Sequence, residues 1–335
     1  MSPRRCAAAL LLALAGGLAC DPPRLEARHQ ALVAGAGDLA GSEGRVRVRA
    51  LGNTNLLFGD GETWFLTDGW FTRPSTFSIA LGEVEPDPAA IGAALGRAGV
   101  VSLAAVIPVH SHFDHAMDAP EVARRTGARL VGSESTANIG RGWGLAEEQI
   151  LVAVPGERLA FGAFRVTLIE SRHFAFPDLD LGVPDGGTAT IDAPLVPPAG
   201  ALDYAEGGSF SVLVEHPDLT ALVQGSAGYL PGSLAGRDVD LLFLGVGGIA
   251  GQTPEYQDEY WRHVVEETRP ERIVPVHFDS FTHELGDTWA LPGWLWDSVF
   301  GLEATGGIDY AVERGAAAGI EVRLLPLWNE IPVGR

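Results

Sequence analysis

Ala104-Ala105-Val106-Ile107-Pro108-Val109-His110-Ser111-His112-Phe113-Asp114-His115 is the stretch on which the fold turns. Its apolar half reads as a buried strand, and it stops at three histidines and an aspartate spaced H-x-H-x-D-H. Neutral imidazoles and a carboxylate offer borderline nitrogen and hard oxygen donors, a set that suits a Zn²⁺-type ion. A strand ending just before the ligands is a rigid platform for them. A lone histidine is usually a satisfied core or surface residue. Three within six positions, with a carboxylate and behind a buried strand, read as a metal site.

Upstream, Arg45-Val46-Arg47-Val48-Arg49-Ala50 alternates as a strand, and Asn53 to Phe58 and Thr63 to Thr67 form a hairpin turning at Asp60-Gly61. Asp68 ends that second strand and reads either as a carboxylate orienting a ligand or as a turn residue. Asp87-Pro88 opens a helix that closes at Gly99. Downstream, Ala119 to Thr126 is helical, Arg129 to Gly132 a strand, and Ser135 to Ile139 a short helix. Ile150 to Val154, Arg158 to Phe161 and Phe164 to Ser171 are successive strands, the last delivering His173. Residues 174–206, rich in Pro, Gly and Asp, lack periodicity and read as a substrate loop or as a disordered insertion. Ser209 to Glu215 and Thr220 to Gln224 form a hairpin that turns at an exposed His216. Val239 to Leu244 is a buried strand ending in Gly245-Val246-Gly247-Gly248, which lacks the full dinucleotide fingerprint. Tyr256 to Thr268 is an amphipathic helix carrying His263 as a surface or edge residue. Glu271 to Val276 is a buried strand that ends in His277-Phe278-Asp279. Strand-rich halves each followed by helices indicate two sheets covered by helices.

Residues 1–19 have the form of an export signal: Arg4 and Arg5, an apolar run from Ala7 to Leu18, then small residues before Cys20. The run is short for a bilayer span. Gly17-Leu18-Ala19-Cys20 resembles a bacterial lipobox, with Cys20 lipidated; an ordinary cleaved signal is the alternative. Export implies a periplasmic or membrane-anchored protein whose only membrane contact is that anchor. Residues 20–44 read as a flexible tether with a short helix in Glu26 to Val33 and a solvated His29, and residues 45–335 as the folded domain. Cys6 and Cys20 are the only cysteines, so the domain has no cysteine ligand, thiol nucleophile or internal disulfide. The formal charge is -20 and no lysine is present. So acidic a chain repels phosphate backbones, which excludes nucleic acid as a partner and leaves a small-molecule substrate. Oligomeric state is not legible.

These motifs resemble the metallo-β-lactamase-fold hydrolase family, in order and from about Arg45 onward. His110, His112, Asp114 and His115 match its second motif, His173 the third, His277 the last, and Asp68 the buried aspartate of the first. The resemblance is nearest the ascorbate-phosphate lactonase-like and N-acyl-phosphatidylethanolamine phospholipase D-like branches. It implies an α+β fold, a four-layer αββα sandwich with the site along one edge between two mixed β-sheets. It also implies one ion held by His110, His112 and His173 and a second by Asp114, His115 and His277, zinc being the expected metal. Such an ion activates water for attack on a lactone or other ester, an amide or a phosphodiester, with Asp114 and His112 in the catalytic centre. The family's bridging aspartate is replaced here by Ser226, a weak ligand, so one ion or a weakened second site is expected, with Asp279 as a compensating carboxylate. His112 stands where flavo-di-iron relatives have glutamate, which favours a zinc hydrolase over iron chemistry. A mononuclear iron dioxygenase and a non-catalytic binding protein are the competing readings. His283, Glu284, Asp287 and Trp289, Trp294 and Trp296 border the site or belong to the core.

Overall fold

A computed structural model describes residues 22–40, 45–174, 189–293 and 304–335. Two seven-stranded sheets lie face to face. In the first, β1 (Arg47–Ala50), β2 (Leu56–Gly59) and β3 (Trp64–Thr67) form an antiparallel meander. Then β4 (Ala105–Ile107), β5 (Arg129–Gly132) and β6 (Ile150–Val152) add in parallel beyond β3. Between the parallel strands the chain crosses through α3 (Pro88–Arg97), α5 (Ala119–Thr126) and α6 (Glu134–Gly142), as parallel pairing requires. Asp87 caps α3 by accepting from the Ala89 and Ala90 amides, and Ser133 caps α6 through Thr136.

The second sheet runs β13-β12-β11-β10-β9-β8-β7. β7 (Arg158–Phe161), β8 (Phe164–Ser171), β9 (Ser209–His216) and β10 (Leu219–Gln224) pair antiparallel. β11 (Leu241–Gly245), β12 (Arg272–Val276) and β13 (Glu321–Val322) then continue in parallel. β14 (Glu330–Pro332) crosses back to pair with β1, so the C-terminal segment joins the first sheet. Phe58 and Phe65 of the first sheet meet Phe243 and Phe164 of the second edge to face, at 5.6 and 5.2 Å between ring centroids. That apolar layer is the main core. A second core lies between the first sheet and α3 and α5, through Ile91, Leu95, Val106 and Val122.

Several segments depart from the sequence reading. Residues 22–40, read as a tether, pack on the fold: Leu25, Ala34 and Leu39 are buried, and Val33 and Ala40 bridge to Leu324 and Gly334. Only Ala27–Gln30, α1, is helical there. His29, expected in solvent, is buried with Nε2 2.8 Å from Asp309. Its partner lies in α8 (Ala304–Ala318), 280 residues away, a contact that local pattern cannot reveal. His216 is not exposed either; its ring packs on Phe164 at 4.9 Å. The helix expected over Tyr256 to Thr268 is α7 (Pro254–Tyr260), which continues as a π-turn over Trp261–Glu266. A helix not foreseen, α2 (Thr76–Leu81), is capped by Ser75, which accepts from the Ser78 amide. Of the expected substrate loop, 189–206 is irregular apart from a 3-10 turn at Ala201–Asp203, and it is pinned by Leu195 to the Asn138 carbonyl and by Val84 pairing with Ala199. Residues 175–188 lie outside the described residues, as do Trp294 and Trp296.

Candidate metal centre

The parallel registers place the C-terminal ends of β3, β4, β11 and β12 along one edge, where ligands of open α/β sheets gather. Beyond β4 the backbone is clamped: the Val109 amide donates to Asp68 Oδ1 at 2.9 Å, and the Ser111 amide to the Glu206 carbonyl at 2.9 Å. His110 and His112 project from this turn. A single helical turn, α4 (Phe113–Ala116), then raises Asp114 and His115, its first bonds closing on the His112 carbonyl. His173 follows β8 and His277 follows β12.

All six expected ligands converge, in two groups. His110, His112 and His173 form one, and Asp114, His115 and His277 the other; within each group the ligand atoms lie within 4.8 Å of one another. In the first, His110 Nε2 is 3.0 Å from His112 Nδ1. The Nδ1 of His173 bonds the Phe174 carbonyl at 2.8 Å, which assigns its lone pair to Nε2. In the second group, His115 Nε2 and His277 Nε2 face each other at 3.1 Å, and Asp114 Oδ2 is 3.2 and 3.3 Å from them. Asp68 is an orienting carboxylate: its Oδ2 binds His115 Nδ1 at 2.8 Å, turning Nε2 toward Asp114 and His277.

The donor set fits a divalent cation. Burial and the neighbouring imidazoles hold His110 and His173 well below the usual histidine range, and burial brings His112 down to about 4. These three are therefore neutral, the form that binds metal. Burial opposes charge on His115, yet the flanking Asp114 and Asp68 carboxylates pull it up to about 10. Burial works against Asp114 as well, but His115 and His277 hold it well below the ordinary carboxylate range. The second group thus favours positive charge at its centre.

His277 has a left-handed backbone, φ +62°, and a Cβ at Gly247 would come within 2.4 Å of its Nδ1. The glycine run after β11 serves this close approach, a packing role rather than nucleotide binding. Asn53, also left-handed at φ +46°, was not singled out from the sequence. Its amide donates to Asp279 Oδ1 at 2.7 Å, its Nδ2 to the Asp114 carbonyl at 2.6 Å, and its carbonyl accepts from His277. Asn55 accepts from the Gly69 and Trp70 amides and so holds the turn after Asp68. Two asparagines in Gly52-Asn53-Thr54-Asn55, in a turn facing the motif strand, were the available signal.

Other expected site residues stand apart. Ser226 is buried and joins neither group; its Oγ accepts from the Phe174 amide at 3.4 Å. Asp279, proposed as a compensating ligand, instead accepts from Asn53 and pairs with buried Arg73 at 3.5 Å. Burial, the dominant influence, raises Asp279 despite that guanidinium. Its place two residues past His277 turns it to the β1–β2 turn rather than to the ligands. His283 bonds Ser280 Oγ at 2.8 Å, Asp287 pairs with Arg97, and Trp289 is core, bonded to the Leu325 carbonyl.

Paired mixed sheets with histidine and aspartate ligands at their common edge define a protein of metallo-β-lactamase fold. The same fold is seen in YhfI of Bacillus subtilis, a metallo-β-lactamase fold protein, at a TM-score of 0.50 and 15% identity over 86% of this chain and 99% of that one. A variant of the CmlA β-hydroxylase of Streptomyces venezuelae superposes at a TM-score of 0.52 and 15% identity, over 88% of this chain and 55% of that one. In sequence, the chain is 26% identical over 244 residues to a UPF0173 metal-dependent hydrolase of Heliobacterium modesticaldum, covering 70% of this chain and 84% of the relative. It is 22% identical over 239 residues to one from Pyrobaculum islandicum, covering 70% and 85%. No family model matches the chain.

Proposed function

We propose that the protein is an exported metal-dependent hydrolase that uses zinc on a small-molecule ester or lactone, amide or phosphodiester. The observation that carries this reading is the pair of three-ligand groups, His110/His112/His173 and Asp114/His115/His277. Three protein ligands leave an open coordination position, the arrangement of catalytic ions, and the relatives named above are called metal-dependent hydrolases. A bound Zn²⁺ supplies Lewis acidity and lowers the pKa of its water from about 15.7 to about 7. Around it, the neutral imidazoles hold the ion without contributing charge. Asp114, ionised and buried, would orient water and carry its proton toward the leaving group. No side-chain nucleophile is required.

The first group binds the tighter ion. In the second, Asp114 is the one carboxylate among the described ligands, and neutral Ser226 supplies no charge between two cations. The signal-like residues 1–19 and the lipobox-like Cys20 support export with a lipid anchor. Because the fold is shared with a β-hydroxylase, the metal itself decides between hydrolysis and iron-dependent oxidation.

Elemental analysis of purified protein, together with a panel of esters, lactones, phosphodiesters and cephalosporins assayed with and without chelator, tests the proposal. Zinc content and chelator-sensitive turnover that His112→Ala removes are the expected results. Iron content with oxygen consumption would transfer the chain to the oxidative class. Turnover absent across the panel, or indifferent to both chelator and His112→Ala, would leave a binding protein.

A further inference from the structure

Seven large hydrophobic side chains are exposed among the described residues, and four of them, Phe77, Leu81, Val196 and Leu202, lie on two segments that are joined to each other. Phe77 and Leu81 lie on α2, which packs on the 3-10 turn holding Leu202. The antiparallel bridge between Val84 and Ala199 joins the two segments through amide–carbonyl bonds of 2.8 and 3.1 Å. Residues 74–82 and 193–202 contain no charged side chain, in a chain that is 20% charged. A contiguous apolar face of this kind marks an interaction surface rather than scattered exposure.

The inner side of the face reaches the metal centre. Ile79 and Leu195 pack in one apolar cluster with Trp70, Phe113 and Phe281. Phe113 lies between His112 and Asp114 in the chain, and the Phe281 ring is 5.5 Å from that of His277. The first described residues enter at the same rim. The Pro23 carbonyl accepts from Leu291, Arg24 bridges to Ala290, and the Ala290 carbonyl accepts from Ser280, next to Phe281. Cys20 is three residues before Pro23.

We propose that this face seats on a lipid bilayer of net-neutral headgroups, bringing the metal centre to amphiphilic substrates held in the membrane. The orientation rests on the exported, lipid-anchored reading; contact of the face with lipid does not. Exposed Glu83, Glu85, Asp192 and Asp203 flank the apolar segments. A two-fold pairing of this face with itself would bring those carboxylates together, and an anionic membrane would repel them, whereas a zwitterionic surface does neither. Apolar side chains above a headgroup layer gain burial from an interface without a spanning segment, and no described helix is long and apolar enough to cross a membrane.

The test replaces Cys6 and Cys20, the only cysteines, by serine in the full chain and introduces Leu202→Cys for an environment-sensitive dye, with Val154→Cys as a control outside the face. Phosphatidylcholine vesicles should shift the dye to the blue at position 202 and not at 154, and lipid-borne nitroxide should quench only the former. Adding Phe77→Ser should cut the shift at 202 by at least half. No shift at 202, or equal shifts at both positions, overturns the proposal. A concentration-dependent shift at 202 without lipid overturns it in favour of a second copy of the chain. The anchor is judged separately, by the mass of the processed N-terminus of the unsubstituted protein. Failure there removes the orientation argument and leaves the vesicle result standing.

Discussion

At the residue scale, Asp68 and Ser226 are the positions at which the proposed number of ions is tested. Asp68 spends one oxygen on the Val109 amide and the other on His115 Nδ1. Asp68→Asn keeps an acceptor for Val109 but presents an N–H to His115, so the imidazole proton moves to Nε2 and the ligand lone pair is lost from the second group. Metal affinity should fall roughly 10–100-fold, the usual cost of a lost orienting partner, with an unchanged circular dichroism spectrum. Calorimetric zinc titration of the two proteins measures it. Ser226→Asp makes the opposite change. Without metal, a carboxylate at this buried position has no cation and lowers the melting temperature. With zinc it supplies the missing charge, so stoichiometry should rise toward two ions and the melting temperature should exceed that of the unsubstituted chain with zinc. A uniform loss of stability with and without zinc would show that position 226 does not reach the ions.

At the scale of elements, α5 carries an electrostatic clasp. Buried Glu121 accepts from Arg124 and Arg125 on its own helix and from Trp143 Nε1 at 3.0 Å, just beyond α6. Arg125 in turn reaches the Pro88 carbonyl at the start of α3. Burial opposes the charge, but these donors hold Glu121 down to about 2. Because its folded pKa is below the unfolded value near 4.5, the clasp stabilises fully above that value and is lost as pH falls toward 2. Both guanidiniums reach solvent, which reduces the gain to about 1–2 kcal/mol. Glu121→Gln should cost that much at pH 7 in urea unfolding and almost nothing at pH 2. The motif strand, its ligands and the order of elements were legible because buried strands and ligand spacing are local patterns. Burial of His29 and His216, packing of residues 22–40 and the turn of Asp279 toward Asn53 depend on partners far along the chain, to which local periodicity is blind. α2 escaped notice because six residues hold too few turns to display a period.

At the scale of the whole molecule, the centre joins segments that the two sheets supply separately. Asp68, His110, His112, Asp114 and His115 come from the ends of β3 and β4 in the first sheet, His173 and His277 from the ends of β8 and β12 in the second. Without a cation, the junction crowds the neutral imidazoles of His110, His112 and His173 beside protonated His115 and the buried Asp114 carboxylate. An ion held by His110, His112 and His173 is bound only when both sheets are assembled, so it stabilises the native state by mass action. Free metal at 100 times its dissociation constant adds about 2.7 kcal/mol. For a domain of this size that corresponds to a rise in melting temperature of roughly 4–5 °C. Chelation should lower the melting temperature by that amount and re-addition of zinc should restore it. His173→Ala, which leaves the first-sheet ligands in place, should abolish most of the zinc-dependent rise while the chelated protein melts close to the chelated parent. If His173→Ala retained the full rise, the stabilising ion would not be held by the His110/His112/His173 group, and the bridge between the sheets through His173 would be refuted.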